Sequence, residues 1–438
     1  MTQTLPTQIL STKPTTLSRD DLVASLETHL SSRAILTPDN DPDNDPDNDP
    51  ENDGVLSPAA FREHFVLEPA TAFLNHGSFG ATPTPIFDIY QAWQRYLEQQ
   101  PVRFFRDELT GYLQQARTSL ASYLSCDPMD VVFVPNATVG VNAAVHALPL
   151  KAGDEVLSSD QEYGACDNAW QHWADKRGFS YVKASLPLPF ESEDAVLEQF
   201  WSHVTQQTRV IFLSHLTSAT AQTLPIAKIC ARARKHNILT IIDGAHAPGH
   251  IALELEDLGA DIYTGNCHKW LMSPKGAGFL YVRRDKQDLI DPPIVGWRRL
   301  GRTSLGSRFQ DDFEFFGTND YSAYLSVPAA IRFQAEHAWG NVQTRCHQLL
   351  ASLIEQWQDE SQMTPAYTST AMFRQMAIVE VPFVDDLAAF QVDFLHKYGV
   401  EVPFTEHLAK TFVRVSVQAY NDQADIGRLL TALQHTFD

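Results

Sequence analysis

Cysteine is scarce in this 438-residue chain: Cys126, Cys166, Cys230, Cys267 and Cys346 stand far apart. The number is odd and no CxxC pair occurs, which excludes a disulfide scaffold and fits a reduced, cytoplasmic compartment. Long apolar runs are missing too. No stretch reaches the roughly 18 apolar residues that a membrane-spanning helix needs. Basic charge is in deficit, with 33 Lys and Arg against 54 Asp and Glu and a formal net charge of −21. The stretch Asp39 to Asp53 reads DNDPDNDPDNDPEND; removing its eight acidic charges from −21 still leaves −13. Such a surface repels phosphate backbones, so nucleic acid is not an expected partner. The N-terminus lacks a basic patch followed by an apolar core, so no secretory signal is expected.

What is present is a globular composition. The hydrophobic fraction of 44% suffices for a sizeable core, and 11% aromatic residues are ordinary for an enzyme. Residues 1–57 form an N-terminal extension. Proline every four residues and dense like charge in its DPDN repeat oppose both helix and sheet, which reads as a solvated linker. A calcium loop would need a glycine turn and a distal bidentate glutamate; neither is in register, and no metal is expected. From near Pro58, strand-like and helix-like segments alternate. Asp130–Pro135, Glu155–Ser158, Ser180–Lys183, Val210–Ser214, Leu239–Asp243, Asp261–Thr264 and Gly278–Arg283 read as strands. Val139–Leu148 reads as a helix, and Ile226, Ile229, Cys230 and Ala233 give another helix one apolar face. Strands with little polar alternation, separated by helices, predict an α/β fold with a mostly parallel sheet covered on both faces. Ligands of such sheets sit beyond the carboxyl ends of the strands.

Three strand ends carry chemistry. In VFVPNATVGVN a strand stops at Pro135 and a helix starts near Thr138, where exposed N–H groups suit an anion. In IIDGAHAPG, Asp243 ends an apolar strand, where a carboxylate is costly unless paired, and Gly244 allows unusual backbone geometry. In DIYTGNCHKWLMSPKGAGFLYVRR the cluster Asn266–Lys269 interrupts two apolar strands. Lysine set among apolar groups loses its proton readily and becomes nucleophilic. Lys275 competes with Lys269 but sits in SPKGAG, which reads as an exposed turn. A helix start, an acid and a lysine match the phosphate, ring nitrogen and aldehyde of pyridoxal 5'-phosphate.

The segments DGAHAPG and TGNCHKWLMSPKGAGFLYVR resemble the cofactor signature of class V aminotransferases, the fold-type I pyridoxal phosphate group. The resemblance runs from LNHGSFGATP (Leu74 to Pro83) to FVRVSVQAYN (Phe412 to Asn421), and LNHGSFGATP, PVRFF, EYGA and SHLTSATAQTLPI resemble most the isopenicillin N epimerase-like branch. It implies a large cofactor-binding domain over 84–326 and a smaller α/β domain from 58–83 and 327–438. It implies that Lys269 carries the cofactor in Schiff-base linkage, that Asp243 pairs with the pyridine nitrogen and that His246 meets the ring oxygen. Ala137 and Thr138 would hold the phosphate with His268 as an added donor, and Tyr163 would lie over the ring face. Thr318 would reach the phosphate of a neighbouring subunit in a homodimer with shared sites. Arg414 would clamp the substrate α-carboxylate with help from Asn75, while Arg103 and Arg106 would line the entrance or form surface salt bridges.

The shared step of the family is removal of the Cα proton of an amino acid or amino-acid-containing substrate. Return of a proton to the opposite face gives epimerisation and needs a second acid there; loss of a β-sulfur group gives a C–S lyase, as in hercynylcysteine sulfoxide lyases; proton delivery to the cofactor carbon gives transamination. Cysteine desulfuration needs a reactive thiol on a flexible loop. After Lys269 the chain has only Cys346, in a segment of helical apolar spacing that predicts an inert, packed thiol. Intact Lys269, Asp243 and Arg414 argue against a catalytically silent scaffold of the same fold.

Overall fold

The computed structural model describes residues 23, 24, 26, 27, 55–189, 191–296 and 306–437. The DPDN linker lies outside the described residues. A seven-stranded sheet holds β2 (Val131–Val134), β3 (Glu155–Ser159), β4 (Ser180–Ala184), β5 (Thr208–Ser214), β6 (Leu239–Gly244), β7 (Ile262–Asn266) and β8 (Gly278–Val282), following the short β1 (Ala72–Phe73). Its order is β2-β8-β7-β6-β5-β3-β4, with every pairing parallel except the two made by β8. Strands β2, β7 and β8 are buried along their whole length, as a sheet covered on both faces requires. The fold is therefore α/β with a mostly parallel central sheet, as the strand pattern predicts.

Helix Ile226–Lys235 buries Ile226, Ile229, Cys230 and Ala233 and turns its basic residues outward. A second sheet, antiparallel and in the order β11-β12-β9, joins β9 (Met376–Val381), β11 (Phe404–His407) and β12 (Lys410–Ser416). The pair of β1 with β10 (Val400–Glu401) and a bridge from Asn75 to Ser416 tie the LNHGSFGATP segment to this C-terminal part. Among the described residues no helix is long and apolar enough to cross a membrane.

One buried ion pair fastens the frame that carries the site. Arg117, on helix Leu109–Tyr123, pairs with Glu314, and both side chains are almost wholly buried. Glu314 also accepts the backbone N–H of Phe133 in β2 at 3.4 Å. Arg117→Ala removes the buried cation bonded to Glu314 and is expected to cost about 3–5 kcal/mol of stability. Urea unfolding measures this; a loss below about 1 kcal/mol would show that Glu314 is neutralised by other means.

Candidate active site

The carboxyl ends of β5, β6 and β7 lie side by side, with Ser214 in register with Asp243 and Asp243 with Thr264. Beyond them opens a cavity of about 220 Å³ lined by Thr138, Tyr163, Asp243, His246, His268 and Lys269, with Ser78, Phe79, Ala137 and Ser218 completing the wall. Gly80 brings the HGSF turn against this wall. Its φ is +72°, and a Cβ there would stand 2.1 Å from the His268 carbonyl oxygen. Gly244 is needed for a different reason from the one its sequence suggests. A Cβ would meet the Tyr263 ring at 2.2 Å, so space and not backbone freedom fixes it.

Lys269 lies in the turn just past β7, half-buried on the cavity wall. Burial, helped by the Arg414 charge, brings its amine down to about 7, against a partial pull upward from Asp243 and Cys166. Its Nζ stands 3.1 Å from His246 Nε2. Asp243 is buried, and burial raises its pKa. One oxygen accepts the Ala245 N–H at 2.9 Å and the other the Cys166 thiol at 3.4 Å. It enters no ion pair among the described residues.

At the helix Ala137–Ala147, the N–H of Ala137 goes to Asn266 Oδ1 (2.8 Å) and that of Val139 to the capping Asn136 Oδ1 (3.0 Å). The backbone donor expected of Ala137 is thus already engaged, and Thr138 is the pocket residue left at the helix start for an anion. His268 Nδ1 stands 3.0 Å from the Ala277 carbonyl, which only accepts, so Nδ1 holds the proton. Neutral His268 offers a lone pair at Nε2, and it donates to a phosphate only after taking up a second proton.

Arg414, on β12, does not itself line the cavity but bonds to two residues that do, Ser78 and Ser218. Nη1 donates to the Ser218 carbonyl (2.6 Å) and hydroxyl (3.2 Å), and Nη2 to Ser78 Oγ (2.8 Å). Nε is buried with no partner, and no carboxylate pairs with this guanidinium among the described residues. Burial holds its pKa down at about 10. A buried cation with serine neighbours and no counter-charge is a site for an anionic ligand.

Several expected residues stand elsewhere. Asn75 does not line the cavity. Its amide donates to Glu401 (2.9 Å) and its oxygen accepts from Ser78 Oγ (2.5 Å), so it acts on Arg414 through Ser78. Arg103 and Arg106 pair locally with Glu108 (3.2 Å) and Asp107 (2.8 Å) and are not brought to the cavity of their own chain. Thr318 lines a separate hollow with Pro101, Phe105 and Asp320. Lys275 is exposed on another cleft beside Pro274 and Val66. Cys346 and Cys267 are buried, and burial pushes the Cys346 thiol up to about 12, so neither is a mobile sulfur carrier.

Sequence reasoning passed over Glu162. This buried carboxyl accepts from Ser159 Oγ (2.5 Å) and from the Ser214 N–H (2.8 Å) and Oγ (2.6 Å), clamping the ends of β3 and β5; burial raises it to about 8. Its signal was its place beside Tyr163 in QEYGA. The half-exposed Tyr163 itself opens helix Gly164–Arg177 at the cavity mouth.

The residues present fit pyridoxal 5'-phosphate. A buried carboxylate without a cation suits a protonated ring nitrogen, a lysine of depressed pKa suits the aldehyde, and a helix start with Thr138 suits the phosphate.

Comparison with known proteins agrees. Isopenicillin N epimerase of Amycolatopsis lactamdurans is 34% identical, with 85% of this chain and 97% of that protein covered. A putative L-cysteine desulfhydrase of Oryza sativa subsp. japonica is 28% identical, with 86% of each covered. The solved complex of the cystine C–S lyase C-DES with its product cysteine persulfide superposes with a TM-score of 0.70 at 25% identity, covering 83% of this chain and 97% of that one. The family profile for aminotransferase class-V matches residues 87–429, and the chain belongs to that family.

Proposed function

We propose that this enzyme, with pyridoxal 5'-phosphate as cofactor, epimerises the Cα centre of an amino acid or amino-acid-containing peptide. The observation that carries the reading is Lys269 on the cavity wall with Nζ against His246, while Ser78 and Ser218 of the same wall hold the carboxylate-free Arg414. The cofactor, when bound, supplies an electron sink for the charge left at Cα. Arg414 holds the substrate carboxylate by parallel hydrogen bonds, and Ser78 and Ser218 keep the guanidinium plane fixed. Lys269 Nζ removes the Cα proton as general base, since an amine near 7 has a substantial unprotonated fraction at neutral pH. Asp243 keeps a positive charge on the ring side of the cavity, and the dry wall of β5 to β7 strengthens that interaction.

Inversion requires a proton from the other face. Tyr163 is the titratable lining residue outside the Asp243, His246, His268 and Lys269 cluster, and it is assigned that delivery. In D₂O, Tyr163→Phe is expected to keep deuterium exchange at Cα while inverted product falls about 100-fold or more. Unchanged inversion would remove Tyr163 from the role. A C–S lyase is the second reading, favoured by the similarity to the rice desulfhydrase. Pyruvate and sulfur release from a cysteine conjugate, without Cα inversion of other amino acids, would replace the epimerase with it. A second copy is proposed to bring Thr318 and the Arg103 segment to the cavity mouth of the first; a monomer in sedimentation would contradict this. Reaction in the cytoplasm is proposed on the reduced state of the five cysteines.

A further inference from the structure

Three buried histidines surround Trp270, the residue after Lys269: His76 and His250, which do not line the cavity, and His246, which does. Each contact in it has a fixed direction. The indole Nε1–H of Trp270 can only donate, and it stands 3.3 Å from His246 Nδ1. His246 Nδ1 therefore keeps its lone pair, and the single proton of the neutral ring sits on Nε2. That Nε2 is the atom 3.1 Å from Lys269 Nζ. A protonated Lys269 has no lone pair to accept it, so the contact is complete only with a neutral amine.

Trp270 is held in turn. His250 stacks on it at 4.0 Å and 24°. The Gln375 N–H donates to His250 Nε2 (3.0 Å), so His250 Nδ1–H donates to the His246 carbonyl (3.1 Å). His76 donates through Nε2 to the Lys269 carbonyl (3.1 Å) and accepts from Tyr420 at Nδ1 (2.9 Å). Both rings thus brace the backbone at either end of the Trp270–His246 contact.

We propose that Trp270 is a positioning residue: its indole N–H locks His246 as the Nε2–H tautomer, which holds the Lys269 amine neutral and aims a donor at the ring-oxygen side of the cavity. Burial and the Arg414 cation oppose a second proton on His246, and a proton on Lys269, His250 or His268 would oppose it further. Around Lys269, burial and the Arg414 cation favour the neutral amine, and the Asp243 carboxylate favours the ammonium. To these the indole contact adds a geometric demand: it leaves the proton on His246 Nε2, whose donation to Nζ needs a lone pair there. The consequence for catalysis rests on Lys269 being the reacting lysine, but the lock is read without turnover.

The test uses the full chain labelled with ¹⁵N-histidine, freed of cofactor, with His246 assigned by the signal lost in His246→Gln. The wild-type protein is expected to show His246 protonated at Nε2 and bare at Nδ1 from pH 6 to pH 9 (roughly the range across which an ordinary histidine and a depressed lysine titrate). In Trp270→Phe the Nδ1–H tautomer should appear, and the pKa of Lys269, read from the pH dependence of its acylation rate, should rise by about one unit. A proton on Nδ1 in the wild type overturns the proposal, as does a folded Trp270→Phe with unchanged tautomer and unchanged Lys269 titration. If that variant does not fold, the wild-type spectrum decides alone. An epimerase that proves to be a lyase leaves this result untouched.

Discussion

Lys269→Ala is expected to lower turnover by about 1000-fold or more, because it removes both the covalent anchor and the proton acceptor at Cα. Lys269 is in the turn past β7, half-buried, with its amine near 7 and its Nζ against His246. Alanine keeps the turn, since the backbone there is held by His76 and by the Met272 N–H on the Lys269 carbonyl. The variant should therefore fold and still bind cofactor weakly, yet show no Cα deuterium exchange. Steady-state rates and exchange monitored by mass spectrometry check this. Exchange within tenfold of wild type would move the base to another residue, with Lys275 the first to test. The pH profile carries the same assignment. As pH falls through about 7 the amine takes up a proton and ceases to be a base, so the rate should fall on the acid side.

Asp243→Asn is expected to separate stability from activity. Burial raises the Asp243 pKa in the folded chain, so the folded state binds a proton there more tightly than the unfolded state. Its contribution to stability is present at low pH and is lost as pH rises through the folded pKa, leaving the ionised group as a cost at neutral pH. Asparagine has the same shape and no charge. Cofactor-free Asp243→Asn should be at least as stable as wild type at pH 7, while the loaded enzyme loses about 100-fold or more in turnover because the ring-side charge partner is gone. Thermal unfolding without cofactor and rates with it read the two halves. A destabilised cofactor-free variant with normal rates would make Asp243 a structural residue.

Much of this molecule is legible in the chain because the relevant forces are local. The strands of the large sheet announce themselves as apolar runs, and the interior helix Ile226–Lys235 by its four buried positions. Asp243 and Lys269 stand out because a charged group at the end of an apolar strand needs a reason. What is not legible is what distant segments do to each other. The Ser78–Arg414 bond spans 336 positions, and Asn266 takes the Ala137 N–H from 129 positions away. Asn75 looks like a substrate contact by its place in LNHGS, yet Glu401 claims its amide. Gly244 is read as a place of unusual backbone geometry until the Tyr263 ring fills the space where a side chain would go. The tautomers of His246 and His268 follow from single-role partners that only the folded chain brings near.

The most direct test of the account is borohydride reduction of the loaded enzyme followed by peptide mapping. The account predicts loss of the visible absorbance and one stable cofactor adduct on Lys269, within the peptide that also carries His268 and Trp270. An adduct on Lys275 or another lysine, or a protein that takes up no pyridoxal phosphate at all, would contradict it.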